Sequence, residues 1–139
     1  MNVSKLKDQL ADEEGVKQFP YTDTVGKLTI GIGHNLTDNG LSPEIIDQIL
    51  ENDIIDVVAD LDANIKWWSN LDEVRSRVIA SLCFNMGISK LLEFKRMLAA
   101  LEMGNFSTAA FELQNSKWYR QVGMRGPKLV KMLLLGRDE

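Results

Sequence analysis

The sequence predicts an α+β fold, mostly α, with a small N-terminal β-ribbon lobe, a helical lobe and a long helix connecting them. Three observations lead there. Residues 21–34 alternate apolar positions with small or polar ones around a Val25-Gly26 turn, the pattern of a hairpin. From Ile45 to Leu61 apolar residues recur every three to four positions, giving one amphipathic helix of about six turns. Beyond residue 71 the apolar periodicity is helical, punctuated by glycines.

Each element has its own warrant. Val3, Leu6 and Leu10 lie at helical spacing over residues 3–12, leading into Glu14 and Gly15. Pro20 prevents the helix from continuing. Tyr21 to His34 then reads as a hairpin whose returning strand sets Leu28, Ile30 and Ile32 against Thr29, Gly31 and Gly33. Asn39-Gly40 is a second turn. Ser42 caps the long helix and Pro43 occupies its first position. Helices follow over 71–86, ended by Gly87; 90–102, ended by Gly104; 107–114; and 126–135, opened by Gly126-Pro127. With no repeat, low-complexity segment or linker, the expectation is a single domain over 1–139. Its small lobe covers about 15–58, and its helical lobe 1–14 plus 59–139.

Composition narrows the function. A chain of 139 residues, 45% hydrophobic and 26% charged, is large enough for a real core and ordinary for a globular protein. No apolar run approaches the roughly 20 residues that span a bilayer, and the N-terminus lacks the apolar core of a signal peptide. Cys83 and His34 are the sole cysteine and histidine, which argues against an intrachain disulfide and a zinc hydrolase; no metal or cofactor is expected. The net charge of −4 is uneven: eight acids and no Lys or Arg between Leu28 and Ile65, six Lys or Arg and no acid between Leu113 and Arg137. These read as solvated faces, the basic one a possible contact for an anionic polymer. Without a reader motif in an acidic chain, no nucleic-acid partner is expected.

The chemistry concentrates in EEGVKQFPYTDTVGKLTIGIGH, residues 13–34. Cleaving a glycosidic bond takes a proton donor for the leaving oxygen and a second carboxylate across the sugar. Glu14 stands at a helix end before the apolar Val16, Phe19 and Pro20, where partial desolvation would favour the protonated form a general acid requires. Asp23, in a polar loop, would stay ionised, and Thr29 on the returning strand would help it hold a water. Gly31 and Gly33, on the same face as Thr29, would leave it bare for a bulky polymer; equally, they would permit tight strand packing. The Gly31-Ile32-Gly33 pair is no dinucleotide fingerprint, because Leu36 stands at the third glycine position. His34 belongs to no nucleophile-elbow triad and is expected to be structural, paired with Asp53 of the long helix.

The order Glu14-Gly15, Tyr21, Asp23-Thr24, Gly26, Thr29-Ile30-Gly31-Ile32-Gly33-His34 resembles the active-site segment of the phage-type lysozymes, the T-even-phage endolysin family (glycoside hydrolase family 24). LDEVRSRVIASLCFNMG (71–87) is similar to that family's central buried helix, and SKWYRQ (116–121) with Arg125 to its late Trp-Tyr segment. The resemblance implies a lysozyme that hydrolyses the β-1,4 bond between N-acetylmuramic acid and N-acetylglucosamine in peptidoglycan. It implies Glu14 as general acid, Asp23 as second carboxylate and Thr29 as the water-positioning hydroxyl. Phe84, Asn85 and Met86 fall where the family lines the far wall of its cleft, though Phe84 and Met86 equally suit core at a helix end. Gly33 is expected to contact substrate, and Arg125 to be a basic partner beside the glutamate.

The family further implies a monomeric endolysin made in the host cytoplasm, without stable membrane insertion. A separate pore-forming holin would release it to the periplasm and wall. Four departures stand out: a shorter span from His34 to Asp72, Asn35 in place of an apolar residue, Glu112 in place of a neutral amide, and an acidic net charge where many wall lysozymes are strongly basic. The rival reading is a non-catalytic or tail-associated wall-binding module on the same fold. Retention of Glu14, Asp23 and Thr29 together speaks against a retired enzyme.

Overall fold

A computed structural model describes residues 1–138. Among them the fold is mostly helical, with one small antiparallel sheet near the N-terminus, the α+β class expected. The chain divides into two compact units, Met1–Ile49 and Leu50–Glu139.

The first unit opens with α1 (Val3–Glu14). Asn2 caps it, its side-chain oxygen accepting from the Lys5 N–H at 3.0 Å. Gly15, at φ +77°, ends it with its N–H donating to the Ala11 carbonyl. Strands β1 (Lys17–Thr22), β2 (Leu28–Gly31) and β3 (His34–Asn35) follow, in the order β1-β2-β3. Tyr21 pairs with Thr29 and Ile30 with His34. Pro20 lies on the edge strand β1, inside the irregularity between Lys17 and Tyr21, where a missing N–H is tolerated. A one-turn helix α2 (Leu36–Asn39) is capped by Asn35, whose oxygen accepts from the Asp38 N–H at 2.9 Å. That capping gives the departure at Asn35 a local structural role. The Thr37 hydroxyl oxygen accepts from the Leu28 N–H at 2.7 Å, tying α2 to β2.

The hairpin differs from its expected form. The returning strand does not run on to His34 but stops at Gly31, and Ile32-Gly33 makes a second turn into β3. Gly31 and Gly33 have φ of +70° and +67°, a left-handed backbone that breaks strand alternation. They therefore do not continue the Thr29 face.

Helix α3 (Pro43–Asn64) begins as expected at Ser42, whose Oγ accepts from the Ile45 N–H; the division between units falls inside it. The second unit continues through a 3₁₀ turn (Lys66–Asn70) into α4 (Glu73–Met86), α5 (Ile88–Leu92), α6 (Lys95–Glu102), α7 (Phe106–Gln114), α8 (Lys117–Gln121) and α9 (Arg125–Leu135). The helix expected over 90–102 is two, interrupted at Glu93-Phe94, and α8 was not anticipated as a helix.

The core of this unit is built around α4, which buries Val78, Ile79, Leu82 and Cys83 on one face. Fully buried Leu61, Leu91, Leu113 and Leu133 join them. Burial, with a smaller push from the Asp60 charge, raises the Cys83 thiol above its ordinary value, which disfavours the reactive thiolate.

Asp72 caps α4 while bonding twice to Arg75: Oδ2 accepts from its backbone N–H at 3.1 Å and Oδ1 from its guanidinium at 3.0 Å. Burial alone would raise this carboxyl, but those bonds outweigh it and hold it below its ordinary value. A depressed folded value means the contribution is present above the unfolded value of about 3.9 and is lost as pH falls through the folded one. Asp72→Asn keeps the cap and removes the charge. The stability gap between wild type and Asp72→Asn should therefore be widest near neutrality and close below about pH 4. Urea melts across pH would measure this, and a gap constant from pH 7 to pH 2 would contradict it.

Candidate active site

The residues expected to carry catalysis, Glu14, Asp23 and Thr29, all lie in the first unit. Asp23 begins the loop between β1 and β2. Its Oδ1 accepts from the N–H groups of Val25 (3.0 Å) and Lys27 (2.8 Å), while Gly26 at φ +86° turns the chain. Two backbone donors on one oxygen fix the carboxylate's orientation. Among the described residues Oδ2 has no recorded protein donor, which leaves that oxygen available to a ligand or water.

Thr29 is the one buried polar residue of this sheet, 4% exposed. Its hydroxyl donates to the Lys27 carbonyl at 3.0 Å, leaving the oxygen lone pairs as acceptors. Lys27 thus joins the two candidates through its backbone. Its N–H reaches the Asp23 carboxylate, and its C=O receives both the Thr29 hydroxyl and the Asp23 N–H at 2.8 Å. This hub leaves no trace in the residue types, because any residue supplies the same backbone groups. The Lys27 side chain turns to Asp38 in an exposed ion pair at 3.0 Å, a kind of contact that contributes little.

Glu14 is the last residue of α1 and is exposed. Val16 and Phe19, which follow it, are also exposed, at 70% and 75%. Its carboxylate lies against Gly33, so closely that a Cβ there would fall 2.9 Å from Oε2. His34 is exposed, and its Nε2 bonds with the Gly40 carbonyl at 2.6 Å. A carbonyl only accepts, so Nε2 carries the proton. Nε2 is thus bonded to backbone within its own unit, while Asp53 lies on the part of α3 in the other unit.

Phe84, Asn85, Met86 and Arg125 also belong to the second unit. Phe84 is 49% exposed, and with Arg125, Val57 and Leu129 it lines an apolar groove of about 790 Å³. Asn85 and Met86 line a separate groove of about 930 Å³ with Glu112, Trp118 and Gln121. There Asn85 Oδ1 accepts from the buried Trp118 Nε1–H at 2.8 Å, which fixes the amide's orientation. Among the described residues no cluster of His, Cys, Asp and Glu suits a metal ion, and no helix is long and apolar enough to cross a membrane.

Set beside known proteins, the chain has clear relatives over nearly its whole length. The family model described as phage lysozyme matches residues 11–133, and the chain belongs to that family. It is accordingly a glycoside hydrolase, a lysozyme-like peptidoglycan hydrolase. Among its relatives are two Dictyostelium discoideum proteins, described as probable T4-type lysozyme 2 and probable T4-type lysozyme 1. They are 31% and 29% identical, with 96% of this chain and 96% of each relative covered. The pre-baseplate central spike protein Gp5 of Enterobacteria phage T4 is 25% identical over 96% of this chain, which spans only 28% of that protein.

Proposed function

We propose that the protein cleaves the β-1,4 bond between N-acetylmuramic acid and N-acetylglucosamine. Glu14 is the general acid, and Asp23 and Thr29 together hold the attacking water. The observation that carries this is the Lys27 hub, which ties a carboxylate with one uncommitted oxygen to a hydroxyl with free lone pairs. Thr29 cannot replace a carboxylate nucleophile but can accept a hydrogen bond from water. A water activated by Asp23 then attacks the anomeric carbon while Glu14 protonates the leaving oxygen, a single displacement with inversion. Phe84, Asn85 and Met86 supply glycan contacts. In this reading the chain is an endolysin that acts as a monomer and reaches the wall through a holin pore. A tail-borne wall enzyme is the second reading, favoured by the likeness to the spike protein; finding the chain in purified virions would decide for it.

The test is the product. Purified peptidoglycan should release fragments with new N-acetylmuramic acid reducing ends, and NMR at early times should find the α-anomer first. A β-anomer as first product would remove Thr29 from the water-holding role. An absence of new reducing ends would remove the hydrolytic reading.

A further inference from the structure

We propose that Gly33 is a positioning residue for the proton donor. By lacking a side chain it lets the Glu14 carboxylate lie against the Ile32-Gly33 turn, and so sets where the donated proton sits. The inference rests on Glu14 being the general acid.

A Cβ built on Gly33 would stand 2.9 Å from Glu14 Oε2, 3.1 Å from Cδ and 3.2 Å from Cγ. All three are Glu14 side-chain atoms, with no backbone atom among them. Glu14 is exposed, so its carboxylate can swing into solvent at small cost. A side chain at position 33 therefore acts by moving the carboxylate rather than by unfolding the sheet. A shift of several tenths of an ångström suffices to relieve the overlap. Misplacing a catalytic group by about 1 Å can cost on the order of 100-fold in rate.

Gly31 separates this effect from backbone strain. It has nearly the same positive φ, +70° against +67° at Gly33, but a Cβ there meets nothing within 4 Å. Alanine at either position imposes a similar left-handed backbone penalty. Only at position 33 does it also displace Glu14.

The experiment compares Gly33→Ala with Gly31→Ala on soluble uncrosslinked peptidoglycan, at equal folded fraction, measuring kcat and KM separately. Thermal melts of both variants accompany the kinetics. The two should lose similar stability, while kcat of Gly33→Ala falls about tenfold or more below that of Gly31→Ala with KM little changed. Equal kcat values would overturn the proposal. So would a raised KM with kcat retained, which would make Gly33 a glycan contact. Should alanine prevent folding, Gly33→Asn and Gly31→Asn give the same comparison, because asparagine tolerates the left-handed region. Glu14→Gln, run alongside, tells the two failures apart. Turnover by Glu14→Gln would undo the general-acid assignment itself, whereas an inactive Glu14→Gln with equal glycine variants would undo only the positioning.

Discussion

Glu14→Gln is expected to lower peptidoglycan hydrolysis by about 10²–10⁴-fold, the usual contribution of general acid catalysis, with folding stability unchanged or slightly raised. The amide keeps the shape of the side chain that rests on Gly33 but cannot donate a carboxylic proton to the leaving oxygen. Glu14 is exposed at the C-terminus of α1, so the substitution removes no core packing. A negative charge at a helix C-terminus opposes the helix dipole, typically by about 0.3–1 kcal/mol. Neutralising it should therefore cost nothing in stability. Turbidity loss of purified peptidoglycan and a thermal melt, taken on the same preparation, measure both halves. A folded Glu14→Gln protein turning over within a few fold of wild type would show that another group supplies the proton.

What could be read in the sequence was whatever its side chains declare. Helix boundaries were legible where a cap or glycine marked them: Ser42-Pro43 opens α3, Gly87 closes α4 and Gly126-Pro127 falls in the first turn of α9. The break between α5 and α6 carries no such mark. Glu93-Phe94 contains neither glycine nor proline, and helical periodicity runs across it. Leu28-Thr29-Ile30-Gly31-Ile32-Gly33 alternates like one strand, because a glycine in the left-handed region and one in a strand look the same in sequence. Glu14, Asp23 and Thr29 could be picked out as candidates by residue type. The peptide groups of Lys27 that bond Asp23 and Thr29, and the space at Gly33 that Glu14 occupies, leave no mark in the sequence.

Arg75 is the other place where one substitution should have a large effect, here on stability. Its guanidinium crosses from α4 to the end of α9, donating to the Leu133 carbonyl at 2.6 Å and the Leu134 carbonyl at 2.7 Å. It also bonds Asp72 at 3.0 Å and lies 3.5 Å from the centre of the Phe106 ring. Terminal carbonyls of a helix have no intrahelical donors, so one cation joins α4, α7 and α9. Arg75→Met keeps most of the alkyl volume but leaves the carbonyl of buried Leu133 without this donor; Leu134 is exposed and its carbonyl can rehydrate. The expected loss is about 1–3 kcal/mol, the range for a buried acceptor left unsatisfied. Arg75→Lys should recover only part of it, because an ammonium lacks the planar fork that serves several acceptors. Gly136 supplies an independent check. It closes α9 in the left-handed conformation at φ +69°, and a Cβ there would lie 2.7 Å from Arg75 Nη1. Gly136→Ala should therefore destabilise the wild type more than the Arg75→Met protein. Additive effects in that double-mutant cycle, or an Arg75→Met protein within about 0.5 kcal/mol of wild type, would mean that the guanidinium does not hold the end of α9.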